Sequence, residues 1–197
     1  MKLYCAPLDR TKSGTAKDEL PVVLFGRADM PRAVSIGATA LDRLTRKGLV
    51  AAPRAWDLLS IALSVIAADT SAGRGESADG WTRNLRLRIA VSDPDFWASQ
   101  KELLERQLRF LTTDIWSIDF VDGGVLPSPP AKHKQVKPAE DCVCLLSGGL
   151  DSLIGASDLA AAGKKPYLVS QVSKGDKQKQ AYFAGRIAGG LQRLELN

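Results

Sequence analysis

The sequence predicts an α/β protein built in two parts: a mixed α+β module, then a strand, glycine turn and helix that open a second module. Three observations carry this. Strand and helix periodicities alternate through residues 1–121, a proline- and lysine-rich stretch interrupts the chain at 122–140, and a compact apolar run turns through two glycines into a helical stretch at the start of 141–197.

The 197 residues are 45% hydrophobic and 25% charged, ordinary globular material for one domain or two small ones. No stretch approaches the roughly 18 apolar residues of a membrane span. The N-terminal segment runs almost at once into Pro7 and Asp9, so it lacks the apolar region of a signal peptide, and a cytoplasmic protein without a membrane partner is expected. Three cysteines, Cys5, Cys142 and Cys144, give no disulfide framework. Cys142 and Cys144 are two apart in an apparent strand, so they share a face; a C-x-C pair without further ligands is a poor zinc site, and structural burial is expected.

In the first module, Pro21 to Phe25 reads as a short strand and Ala38 to Lys47 as a helix closed by Gly48. Pro53 suits a first helical turn, and the helix from Arg54 to Asp69 is expected to bury Leu58, Leu59, Ala62, Val65 and Ile66. Ser71 to Gly80 is a loop. Asn84 to Val91 alternates leucine, isoleucine and valine against Arg86 and Arg88, the period of a half-buried strand. Ser92-Asp93-Pro94-Asp95 starts a helix carrying Phe96, Leu103, Leu104, Leu108 and Leu111, and Asp114 to Val121 alternates again, with Trp116, Ile118 and Phe120 on one face. A small sheet covered by helices is implied.

This module offers no catalytic constellation. The only histidine, His133, lies in the 122–140 stretch, so a nucleophilic serine or cysteine has no obvious base. Asp69, Arg74, Asp79 and Arg83 flank the glycine-rich loop, where strand-edge salt bridges account for them better than a ligand does. All four tryptophans precede the Pro/Lys-rich linker and none follows it, which places a domain boundary there.

The second module opens with Asp141 to Leu146, of strand length, followed by Ser147-Gly148-Gly149-Leu150-Asp151-Ser152 and a helical stretch to Ala162. Strand, glycine turn, helix is a phosphate cradle: glycines admit an anion without Cβ clash, and the N–H groups of a helix start point at it. Ser147 and Ser152 add hydroxyls. Asp151 would repel phosphates unless it orients Mg²⁺ or bonds the loop's own N–H groups, and both roles stay open. No lysine stands where a Walker loop requires one. Between Lys164 and Arg193 seven basic residues face one acid, Asp176, which fits a polyanionic ligand or a solvated helix face. Nucleic acid is a third partner class, but no basic stretch is interleaved with aromatics.

Ser147 to Ser152 after an apolar strand resembles the SGGxDS signature of the PP-loop ATP pyrophosphatases, which cleave ATP between the α and β phosphates. The following stretch, Leu153 to Gln171, is similar to the queuosine-pathway 7-cyano-7-deazaguanine synthases, and the tryptophan-bearing leader resembles the synthase-like component of Qat-type bacterial antiphage systems. The resemblance implies an adenine nucleotide alpha hydrolase-like domain: a doubly wound, five-stranded parallel sheet. It implies ATP and Mg²⁺ as cofactors, with Ser147, Gly148, Gly149, Leu150, Asp151 and Ser152 on the pyrophosphate portion of ATP. Asp151 and Ser152 would be catalytic and Asp151 a Mg²⁺ ligand. It also implies adenosine beside Ser170 and Gln171 after the second strand, with Lys174, like Lys177 and Lys179, neutralising phosphate.

The activity implied is adenylation with release of pyrophosphate, acting on a deazaguanine-like or protein substrate among other defence-system proteins. The synthases carry a zinc-binding cysteine cluster that has no counterpart here, so zinc would need residues outside this chain. After Ser147 only Pro166 to Ser170 and Gln192 to Leu196 remain as strand candidates, so a fragment or truncated product, inactive alone, is expected, with sheet faces left uncovered. The rival reading is a non-catalytic nucleotide-binding or scaffold subunit of a defence complex.

Overall fold

The computed structural model describes residues 1–171 and 175–196. The chain forms two compact units, residues 1–41 with 51–128, and residues 42–50 with 129–196. The division near residue 128 falls inside the stretch read as a linker, while the attachment of residues 42–50 to the second unit has no signal in composition.

The first unit is a five-stranded, wholly parallel sheet in the order β3-β2-β1-β4-β5. Its strands are β1 (Lys2–Ala6), β2 (Leu20–Leu24), β3 (Val34–Ile36), β4 (Asn84–Val91) and β5 (Ile115–Asp122). The chain leaves β1 in one direction to build β2 and β3, then returns to add β4 and β5 on the other side, a Rossmann-like arrangement. Central β1 explains itself chemically: Leu3, Tyr4, Cys5 and Ala6 are all buried, as both faces of a parallel strand require. Sequence reasoning passed over it because a continuous four-residue apolar run has no period to detect. The α+β expectation for this module is thereby corrected to α/β.

Helices α1 (Leu8–Gly14), α2 (Ala38–Arg46), α3 (Pro53–Ser71) and α4 (Pro94–Thr112) connect these strands. In α3 the expected face is wrong. Leu58 and Ile66 are half exposed, whereas Trp56, Asp57, Ser60, Ile61, Ser64, Ala67 and Ala68 are buried. The polar members are satisfied locally: Ser60 Oγ donates to the Trp56 carbonyl at 2.9 Å and Ser64 Oγ to that of Ser60 at 2.7 Å. The Asp57 carboxylate accepts from Ser92 N, Ser92 Oγ and Trp97 Nε1 at 2.7, 2.8 and 3.0 Å. Helix α4 begins as expected, with Asp93 accepting from Phe96 N and Pro94 in the first turn. Its inward face runs through Trp97, and Leu103 and Leu111 face solvent.

Of the residues flanking the glycine-rich loop, Asp69, Arg74 and Arg83 form ion pairs at the amino ends of β4 and β5, whereas Asp79 accepts from Trp81 N and Thr82 N at 2.9 and 2.7 Å. Arg83 reaches Asp114 at 2.5 Å and Asp69 at 2.6 Å, and Arg74 reaches Asp114 at 3.2 Å. Asp114 is fully buried.

The second unit is a three-stranded parallel sheet, β6 (Cys142–Leu145), β7 (Pro166–Gln171) and β8 (Arg193–Leu196), in that order. Helices α5 (Leu150–Ala161) and α6 (Asp176–Arg186) belong to it. Leu146, Ala156, Leu168, Ala184 and Ile187 form its core, with Cys144, Leu153 and Phe183 packed on them. The opposite sheet face leaves Val143 and Leu145 68% and 73% exposed. The uncovered face anticipated for a short parallel sheet is therefore real at β6.

Candidate functional site

The loop from Ser147 to Ser152 grows out of β6. Leu146, fully buried, anchors the strand end through its N–H to the Val169 carbonyl at 2.8 Å, and the chain then turns at once. The turn depends on Gly148, whose φ of +93° lies in the left-handed region, and whose absent Cβ would stand 3.3 Å from Gln180 Cγ. Gly149 differs. Its backbone is extended and a Cβ there would meet only Ser147 Oγ at 3.5 Å, so within the protein itself its lack of a side chain is not forced.

The two serines knit the loop. Ser147 N donates to Ser152 Oγ at 3.2 Å, the two hydroxyls lie 3.0 Å apart, and Gly149 N donates to Ser147 Oγ at 3.3 Å. Ser152 Oγ also donates to the Gly149 carbonyl at 3.0 Å. Helix α5 then starts at Leu150 with no side-chain cap, which leaves the N–H groups of Leu150, Asp151 and Ser152 without the partners a helix interior would supply. Together with the helix dipole these are suited to an anion. Asp151 is exposed, and its carboxylate forms no hydrogen bond or ion pair among the described residues. Of its two readings, bonding the loop's own N–H groups is thus performed by Ser147 instead, and the carboxylate stands available.

Beside the loop a cavity of about 470 Å³ opens over the carboxyl ends of β6, β7 and β8. Leu145, Val169 and Leu196 give it apolar walls, and Ser147, Gln171 and Asp176 its polar members. Ser170 lies elsewhere. It is fully buried on the opposite side of β7 from Val169 and Gln171, and its hydroxyl has no hydrogen-bond partner among the described residues. Lys174 falls outside the described residues. Lys177 is 3.6 Å from Glu195 and Arg193 2.5 Å from it, so two of the basic groups are engaged with the protein's own carboxylate.

Gln180 escaped sequence reasoning although it is central to the site, fully buried beneath the loop. A glutamine in a lysine-rich helix start carries no signal of that role. A second omission lies in the first unit, where a crevice of about 480 Å³ sits at the carboxyl ends of β1, β2 and β5, between Leu8, Leu24, Phe25 and Val125. Phe25 holds a φ of 58°, uncommon for a bulky residue. Gly124 follows β5 so closely packed that a Cβ would fall 2.4 Å from the Val91 backbone.

Neither Cys5 nor Cys142 is poised as a nucleophile. Burial pushes the Cys5 thiol up to about 12, and desolvation with the adjacent Asp141 carboxylate raises Cys142. No group of three or more His, Cys, Asp or Glu residues that could hold a metal occurs among the described residues, and no helix there is long and apolar enough to cross a membrane.

No protein-family model, curated protein or solved structure matches the chain.

Proposed function

We propose that this chain binds ATP through Ser147 to Ser152 and belongs to an adenylating enzyme of the PP-loop ATP pyrophosphatase kind, similar to the 7-cyano-7-deazaguanine synthases. The single observation that carries the reading is the loop itself: a left-handed Gly148, an uncapped α5 first turn and an apolar-walled cavity adjoin one another at the carboxyl ends of parallel strands. Backbone donors suit the pyrophosphate portion, and apolar walls beside Gln171 suit a flat heterocyclic base.

In the reaction proposed, an oxygen of the substrate attacks the α-phosphorus and the bond to the bridging oxygen breaks. Pyrophosphate leaves with the electron pair, and a nitrogen or other nucleophile then displaces AMP. The N–H groups of Leu150, Asp151 and Ser152 would neutralise the charge gathering on the leaving group, preorganised and without reorientation. Asp151, unengaged by the loop, fits a Mg²⁺ bound with the nucleotide; such an ion supplies Lewis-acid stabilisation of phosphate oxygens. The substrate class, a deazaguanine or a protein group, and the antiphage setting rest on resemblance of sequence pattern.

Calorimetric titration with ATP, together with pyrophosphate release from labelled ATP, tests the proposal. Binding with release supports the enzyme. Binding without release, in a protein that carries the further strands of the expected sheet, supports the nucleotide-binding subunit instead, and no binding removes the phosphate-loop reading.

A further inference from the structure

The loop is fastened from behind by one side chain. Gln180, in the second turn of α6, is fully buried, and a buried carboxamide must place two donors and an acceptor. Its Nε2 donates to the Ser147 carbonyl at 3.0 Å and to the Gln171 carbonyl at 2.9 Å, while Oε1 accepts from Arg193 Nη1 at 3.2 Å. Ser147 begins the loop after β6 and Gln171 ends β7, so one amide ties the carboxyl ends of two neighbouring strands together.

The amide has only one workable orientation. A guanidinium carries donors and no acceptor, so Arg193 fixes Oε1 towards itself and turns the NH₂ group to the two carbonyls. Arg193 is in turn held by Glu195 at 2.5 Å. A further consequence follows from the planar trans peptide, in which C=O and N–H point in opposite directions. Holding the Ser147 carbonyl towards Gln180 turns the Gly148 N–H away from α6, and a positive φ at Gly148 lets the chain continue into α5 from that setting.

We infer that Gln180 is a positioning residue for nucleotide binding: it orients the Ser147–Gly148 peptide so that the Gly148 N–H is presented to phosphate, and it sets the spacing between the loop and the end of β7. This rests on the nucleotide reading of the same loop, and its mechanical half is measurable without nucleotide.

Gln180→Met keeps the length and apolar packing but removes all three bonds, and Gln180→Glu keeps the shape but at neutral pH cannot donate to a carbonyl. In the whole chain, each is expected to weaken binding of ATP and of inorganic pyrophosphate about tenfold. Protonation of the introduced carboxylate restores one donor, so the ratio of Gln180→Glu to wild-type affinity should recover as pH falls, while Gln180→Met, which has no group to protonate, should show no recovery. Without ligand, the Gly148 amide nitrogen resonance, which senses the hydrogen bond on the Ser147 carbonyl, should shift in Gln180→Met. Wild-type-like affinity in both variants would overturn the inference. If wild-type protein binds neither ligand the nucleotide role falls, and an unmoved Gly148 resonance overturns the clamp itself.

Discussion

The two loop glycines separate backbone conformation from access. Gly148→Ala forces a non-glycine residue to a φ of +93° and sets a methyl against Gln180, so roughly 1–2 kcal/mol of stability is expected to be lost in urea melts. Gly149→Ala meets no obstacle within the protein and should melt like wild type while binding ATP more weakly, since its cost arises only when phosphate arrives. A matching loss of stability in both would contradict this division. Elsewhere, burial tends to raise the Asp114 carboxyl, but hydrogen bonds from Arg83 outweigh it and hold the carboxyl below its ordinary value. A lowered folded-state pKa contributes stability that is present above the unfolded carboxylate value near 4 and lost as pH falls through the folded one. Asp114→Asn is therefore expected to cost about 3–5 kcal/mol at pH 7, leaving buried Arg83 underpaired, and the gap to wild type should narrow in melts taken below about pH 4. At this scale the sequence made the loop legible because two glycines between serines are visible as letters. Gln180 was not, since its role comes from where α6 returns beneath the loop.

Elements whose periodicity is long were legible: β4, α4 and β5 follow directly from alternation and from the Asp93-Pro94 start. Strand β3, three residues long, and β1, uniformly apolar, offer no period to read, and the buried face of α3 was misjudged because hydrophobicity alone does not reveal that Asp57 would be hydrogen-bonded by Ser92 and Trp97. The Pro/Lys-rich stretch is likewise not uniform. Val136 N donates to the Gly48 carbonyl at 2.8 Å, and a Cβ on Gly48, whose φ is +68°, would lie 2.1 Å from the Lys134 carbonyl oxygen. Tryptic cleavage of the native protein is expected first at Lys132, with Lys134 cut more slowly because the segment that follows it is pinned. Gly48→Ala should abolish the difference, and equal initial rates at both sites in wild type would show that the pin is not maintained in solution.

At the scale of the whole molecule the described residues form two parallel sheets, five strands in one unit and three in the other. The larger one places its two halves on either side of β1, whose residue Leu3 is opposite Leu20 on one flank and Leu87 on the other. These neighbours are unequally distant along the chain, and distance along the chain becomes time during synthesis. At roughly 5–20 residues per second, Leu20 follows Leu3 within about a few seconds, whereas Leu87 follows on the order of 4–16 s after it. Throughout that interval central β1 has one edge paired and one edge bare, so the hazard of mispairing at that edge lasts until β4 leaves the ribosome.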